Sequence, residues 1–108
     1  MTTTWPIVQD VLELIAYQTD AVVSRELLSG QSGTVTLFAF DEGQGLSEHT
    51  APFDALVYVL DGAADITISG VGYAVSAGEM LIMPAGEPHA LQAHTAFKML
   101  LVMLRAGS

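Results

Sequence analysis

The chain has 108 residues, 51% hydrophobic and 14% charged, with three Lys or Arg against twelve Asp or Glu, a formal net charge of −9. That length makes one domain around a single core, and the apolar fraction excludes a disordered chain. The acidity argues against nucleic acid or an anionic membrane surface as a partner, and the absence of cysteine excludes disulfides, zinc–thiolate sites and a cysteine nucleophile.

No apolar run reaches transmembrane length, and Met1 to Asp10 lacks the basic start and apolar core of a signal peptide. A soluble, cytoplasmic protein is therefore expected. Residues Thr2 to Pro6 read as a loose leader. From Ile7 to Tyr17 the apolar residues Val8, Val11, Leu12, Ile15 and Ala16 fall near helical spacing, with Asp10 as a cap. Residues 1–20 are thus expected to form an N-terminal arm with a short helix, and residues 21–105 a β domain.

After Asp20 the pattern turns to strands. Val22 to Ser29 and Thr34 to Phe40 flank Ser29-Gly30-Gln31-Ser32-Gly33, a hairpin turn with no phosphate-loop character. Strand-length runs follow at Leu46 to Thr50, Ala55 to Leu60, Ala64 to Ser69, Gly72 to Val75, Met80 to Met83, His89 to Ala93 and Phe97 to Arg105. Asp61-Gly62, Gly70 with Gly72, Ala77-Gly78 and Ala85-Gly86 punctuate them. Short strands at such spacing predict a sandwich or barrel. Ala64 to Ser69 alternates cleanly, whereas Ala55 to Leu60 and Met99 to Leu104 are apolar on both faces. Such antiparallel strands need cover on both sides. The apolar surplus for so small a body predicts that a second copy supplies part of it, in a homodimer.

Gly78 to His89 is the most informative stretch. A glycine turn leads into Met80 to Met83, Pro84 stops the ladder, Gly86 permits a positive-φ bend, and Pro88 stiffens a strand that opens with His89. Gly43 followed by His49 repeats the arrangement upstream. Two histidines delivered by two turn–strand units predict a site inside a small barrel.

These residues resemble the motifs of the cupins. The second cupin motif, Gly-x5-Pro-x-Gly-x2-His-x3-Asn, is filled by Gly78, Pro84, Gly86 and His89, with Ala93 in place of Asn. The first, Gly-x5-His-x-His-x3,4-Glu-x6-Gly, is matched by Gly43, His49 and Gly62, with Ala51 and Ala55 at the second histidine and the glutamate positions. The resemblance spans about residues 34 to 104. It implies an all-β, antiparallel jelly-roll (double-stranded β-helix) barrel, and a metal site of which only His49 and His89 survive. Alanine has no donor atom, so a Zn, Ni, Fe or Mn ion here has two protein ligands and open positions.

Parity sorts the remaining candidates. Asp54, one residue from the glutamate position, points to the opposite strand face, as does His94 relative to His89. Met80, Met83, Met99 and Met103 read as adaptable core filling rather than thioether ligands, with Met99 and Met103 sharing parity with Phe97 and Leu101 as a soft pocket wall. Tyr58 is expected to line the pocket, and Tyr73 is a second phenol to weigh. Glu48, Glu79 and Glu87 read as solvated, and no Ser-His-Asp triad is evident.

The leading functional reading is a small-molecule-binding barrel whose apolar cavity carries His49 and His89. Two alternatives stand beside it. One is a metal-dependent enzyme of dioxygenase or isomerase type with both histidines as ligands. The other is a structural or regulatory dimer with a vestigial cavity.

Overall fold

A computed structural model describes residues 6–106 of the chain. The leader expected at Thr2 to Pro6 falls, except for Pro6, outside these residues. The strands are β1 (Val22–Gly30), β2 (Gly33–Phe40), β3 (Gly45–His49), β4 (Phe53–Asp61), β5 (Ala63–Ile68), β6 (Val71–Ser76), β7 (Met80–Met83), β8 (His89–Gln92) and β9 (Phe97–Arg105). They form a five-stranded sheet ordered β1-β2-β9-β4-β7 and a four-stranded sheet ordered β3-β8-β5-β6. Every pairing is antiparallel, and the two sheets enclose one core in a jelly-roll barrel.

Alternation decides which side chains meet there. Ala55, Val57 and Val59 of β4 pair with Met103, Leu101 and Met99 of β9 and are buried between the sheets. Ala64, Ile66 and Ile68 of β5 close the core from the other side. Phe40 and Phe97, both fully buried, stack with ring centroids 4.4 Å apart at 11°. At Gly62 the chain leaves one sheet and enters the other with φ +74°, and its Cα passes so close to the start of β9 that a Cβ would lie 2.2 Å from the Ala96 carbonyl oxygen. Only glycine fits both conditions.

The N-terminal arm differs from the helical expectation. Its one helical segment among the described residues is a 3-10 turn at Val11–Glu13, capped as anticipated by Asp10, whose Oδ1 accepts the Leu12 N–H at 3.0 Å. The remainder is held against the outer face of the five-stranded sheet. Ile15 packs there on Leu37 and Ala39, with Leu14, Tyr17 and Leu100 around them. Polar contacts fasten it: Arg25 Nη1 donates to the Leu14 carbonyl at 2.9 Å, Lys98 Nζ to the Leu12 carbonyl at 2.8 Å, and the Tyr17 hydroxyl to Asp61 Oδ2 at 2.6 Å. Lys98 Nζ also lies 5.1 Å from the Tyr17 ring centroid. Burial, with the bond to Asp61 and its negative charge, pushes the Tyr17 phenol well above its ordinary pKa. Tertiary docking has overridden a weak helical periodicity. Part of the cover for the doubly apolar strands therefore comes from the same chain.

Candidate functional site

Both motifs place their histidine by turn chemistry. Gly78 and Gly86 have φ of +88° and +79°, and between them β7 runs from Met80 to Met83 before Pro84 ends it. His89 opens β8 and is the direct register partner of His49, the last residue of β3. Backbone bonds lock the motifs together at both ends. The Gly86 N–H donates to the Ala51 carbonyl at 2.9 Å, and the Gly43 N–H to the Ala93 carbonyl at 2.7 Å. Two segments some forty residues apart in sequence thus act as one rigid cradle.

Within it the imidazoles converge. His49 Nε2 and His89 Nε2 are 3.1 Å apart, and the rings meet edge-on, 4.3 Å between centroids and 70° between planes. His89 is buried at 6% exposure, while His49 sits exposed at the mouth. His49 Nδ1 is 2.8 Å from the Ser47 carbonyl oxygen, and His89 Nδ1 is 3.1 Å from that of Glu87. A carbonyl only accepts, so each Nδ1 carries a proton, and each Nε2 is the ring atom left to face the cavity. The 3.1 Å approach of the two Nε2 atoms is satisfied by a proton shared between them or by another positive or protic group beside them.

The rings form the polar end of a cavity of about 60 Å³. Its floor and walls are apolar: Leu46, Phe53, Met83, Leu91, Met99, Leu101 and Met103, with Ala51 and Ala55. Met99 and Met103 stand on the inward face of β9, and Met83 joins them from β7. Ala51 and Ala55 are also there, at the positions where the motif would supply ligands, so their methyl groups occupy space otherwise filled by donors. Among the described residues no group of three or more His, Cys, Asp or Glu is placed to hold a metal ion.

Tyr58 is a correction. It lies on β4 between the inward Val57 and Val59, so its side chain emerges on the outer face of the sheet, 38% exposed, and does not line the cavity. Tyr73 is exposed on β6. Asp54 points outward and accepts the Ala85 N–H at 2.9 Å. His94 sits on the outer side of the four-stranded sheet, its Nε2 3.1 Å from Asp65 Oδ2. Glu79 and Glu87 do more than face solvent: they accept from the Ser76 N–H at 2.8 Å and the Ser69 hydroxyl at 2.9 Å, bracing the turns that flank β7 and β8. Leu46, Phe53, Met83 and Leu91 are lining residues that sequence reasoning missed. Strand parity with the motif positions was the available signal for Phe53, two before Ala55, and for Leu91, two after His89.

Comparison with known proteins adds family context. A model of the cupin domain matches residues 36–104. A conserved protein of unknown function from Streptococcus pyogenes is 39% identical, with 98% of this chain and 93% of that one aligned at a TM-score of 0.91. A cupin superfamily protein from Desulfitobacterium hafniense is 30% identical over 85% of this chain and 84% of its own, TM-score 0.82. A Cupin 2 conserved barrel domain protein from Leptotrichia buccalis is 37% identical over 86% of this chain but only 45% of its own, TM-score 0.84. No curated protein sequence matches the chain.

Proposed function

The chain belongs to the cupin family, and we propose that it is a small-molecule-binding cupin whose ligand is a compact, largely apolar molecule carrying one O–H or N–H donor. The observation behind this reading is the facing pair of Nε2 atoms at the end of an otherwise apolar cavity. A ligand donor bonds one Nε2 atom, and the hydrocarbon body meets Leu, Phe and Met. Arg25, Lys98 and Arg105 are not among the lining residues, so no side-chain cation clamps a strongly anionic group. The cavity of about 60 Å³ admits only a few heavy atoms at first. Three methionines in its wall can change rotamer to enlarge it.

A metal-dependent enzyme is the second reading, and the same nitrogens favour it. Two donors, each about 2.1 Å from one ion, lie roughly 3 Å apart when they occupy neighbouring coordination positions. The backbone carbonyl behind each Nδ1 is the usual outer support of a metal-bound imidazole. His49 and His89 would hold such an ion, and it would supply Lewis acidity or oxygen activation with positions left open. Among the described residues no carboxylate lines the cavity, which suits Zn, Ni or Fe better than Mn.

The test is a pair of titrations on tag-free protein. Phenol and toluene, matched in size, are compared by thermal shift and by histidine-ring 15N spectra. Phenol is expected to stabilise the fold and move both Nε2 resonances, and His49→Ala or His89→Ala to erase its advantage over toluene. Equal, negligible shifts with both compounds refute ligand binding and leave a vestigial cavity. Elemental analysis after incubation with Zn, Ni or Fe judges the second reading, which fails if no stoichiometric metal is retained.

A further inference from the structure

One buried side-chain hydroxyl, that of Thr34 on β2, has no hydrogen-bond partner among the described residues. Such a group is costly to leave unbonded, and native structures rarely do so without a water, an ion or a ligand at hand. Thr34 stands opposite Ser29 of β1 and Met103 of β9. Residues opposite each other in an antiparallel pair share a face. Met103 faces the cavity, so Thr34 is on the inner face too, while Val35 turns outward with Val102. Across the sheet the order is therefore Ala55, Met103, Thr34. Ala55 and Met103 line the cavity and Thr34 does not. The Met103 side chain is thus the partition between the cavity and the unbonded hydroxyl.

We propose that Thr34 is a second polar anchor for the ligand, reached when Met103 turns aside. The inference rests on the ligand-binding reading above and narrows its ligand class. A methionine side chain has three rotatable bonds and repacks at little cost, and Met103 is only partly buried against the core. On the cavity side of Thr34 stand Met103 and, beyond it, Ala55 and Phe53. A lone water lodged there meets apolar groups and lacks the two to four polar partners it needs. A ligand brings its own oxygen, tethered to a chain already held at the other end. The histidine pair takes a donor and the Thr34 hydroxyl needs an acceptor. The ligand is accordingly a short molecule with an O–H or N–H at one end, an alcohol, ether or ketone oxygen at the other, and hydrocarbon between them against Met99 and Leu101.

Tag-free protein is titrated with terminal diols from propanediol to hexanediol, each paired with the alcohol that carries a methyl in place of one hydroxyl. Histidine-ring 15N spectra report the first anchor, and the Met103 methyl resonance reports the partition. One diol is expected to bind about fivefold tighter than its paired alcohol, the worth of one hydrogen bond, and to move both sets of resonances. Thr34→Val keeps the shape and removes the oxygen. It is expected to abolish that preference and, with no ligand present, to melt about 4 °C or more above the parent, because the unbonded hydroxyl is gone. Thr67→Val, between the buried Ile66 and Ile68 and so on the outer face of the four-stranded sheet, is expected to leave the preference as it was. Binding of the alcohols with no diol preference at any length overturns the second anchor and keeps the first. Binding of neither series sinks both. A preference that survives Thr34→Val also overturns the inference, as does a Thr34→Val protein that melts below the parent, since the hydroxyl then holds a fixed partner such as a structural water.

Discussion

Replacing Gly62 with alanine separates two costs that the structure allows to be estimated. The backbone there has φ +74°, which costs an alanine about 1–2 kcal/mol. The added Cβ would lie 2.2 Å from the Ala96 carbonyl oxygen and 3.1 Å from Phe97 Cα, whereas a comfortable C···O contact is about 3.3 Å or more. The start of β9 must therefore retreat by roughly 1 Å, disturbing the Phe40–Phe97 stack, and overpacking of that kind costs about 1–3 kcal/mol. A total near 2–5 kcal/mol is expected. Gly78 supplies the control: its φ is +88°, but nothing lies within 4 Å of a Cβ built on it, so Gly78→Ala carries only the conformational cost of about 1–2 kcal/mol. Urea unfolding at one protein concentration measures both. Thermal melts are expected to drop by at least ~10 °C for Gly62→Ala and roughly half that for Gly78→Ala. Equal losses in the two variants would show that the sheet-to-sheet crossing tolerates a side chain, and the close-approach argument would fall.

Two further outcomes follow from the site and the arm. Ala51→His combined with Ala55→Glu returns two donors to the cavity and is expected to raise Zn or Ni affinity by on the order of a hundredfold or more, since loss of an outer-shell partner alone costs 10–100-fold. The buried glutamate should also make the metal-free variant less stable and its melting metal-dependent. Unchanged affinity by calorimetry would mean that positions 51 and 55 do not converge with His49 and His89. Tyr17 gives a pH test. The fold holds its phenol neutral, above the ordinary value of 10.0, so its contribution is fully present below pH 10 and is lost as pH rises beyond it. Tyr17→Phe should cost about 1 kcal/mol at pH 7, and the gap to the parent should shrink above pH 10. A gap constant with pH refutes the assignment.

Much of the barrel was legible because glycine turns and two-residue alternation are local properties. Met80 to Met83 and Phe97 to Arg105 were read with the bounds the structure shows, and the hairpin between β1 and β2 closes at Gly30 and Gly33 as expected. Where alternation carried no contrast, reading failed. Ala55 to Leu60 is apolar throughout, so nothing local said that Val57 turns inward and Tyr58 outward; cross-strand pairing with β9 fixes that. The arm was misread for a related reason: its apolar residues fit helical spacing, but they are consumed one by one against Leu37 and Ala39. The histidine pair was visible as two motif positions. Its 3.1 Å separation was not, because it depends on the backbone bridges from Gly43 to Ala93 and from Gly86 to Ala51; nor was the proton on each Nδ1, which follows from the folded positions of the Ser47 and Glu87 carbonyls.

Each imidazole is steadied by the carbonyl two residues behind it, Ser47 for His49 and Glu87 for His89. Ring direction is thus written in part into short pieces of main chain. Natural variation can recut the hydrophobic wall through Met83, Met99, Met103 or Leu101 to admit differently shaped guests while the two nitrogens stay aimed. A scaffold arranged this way can change what it recognises without relearning how to hold it.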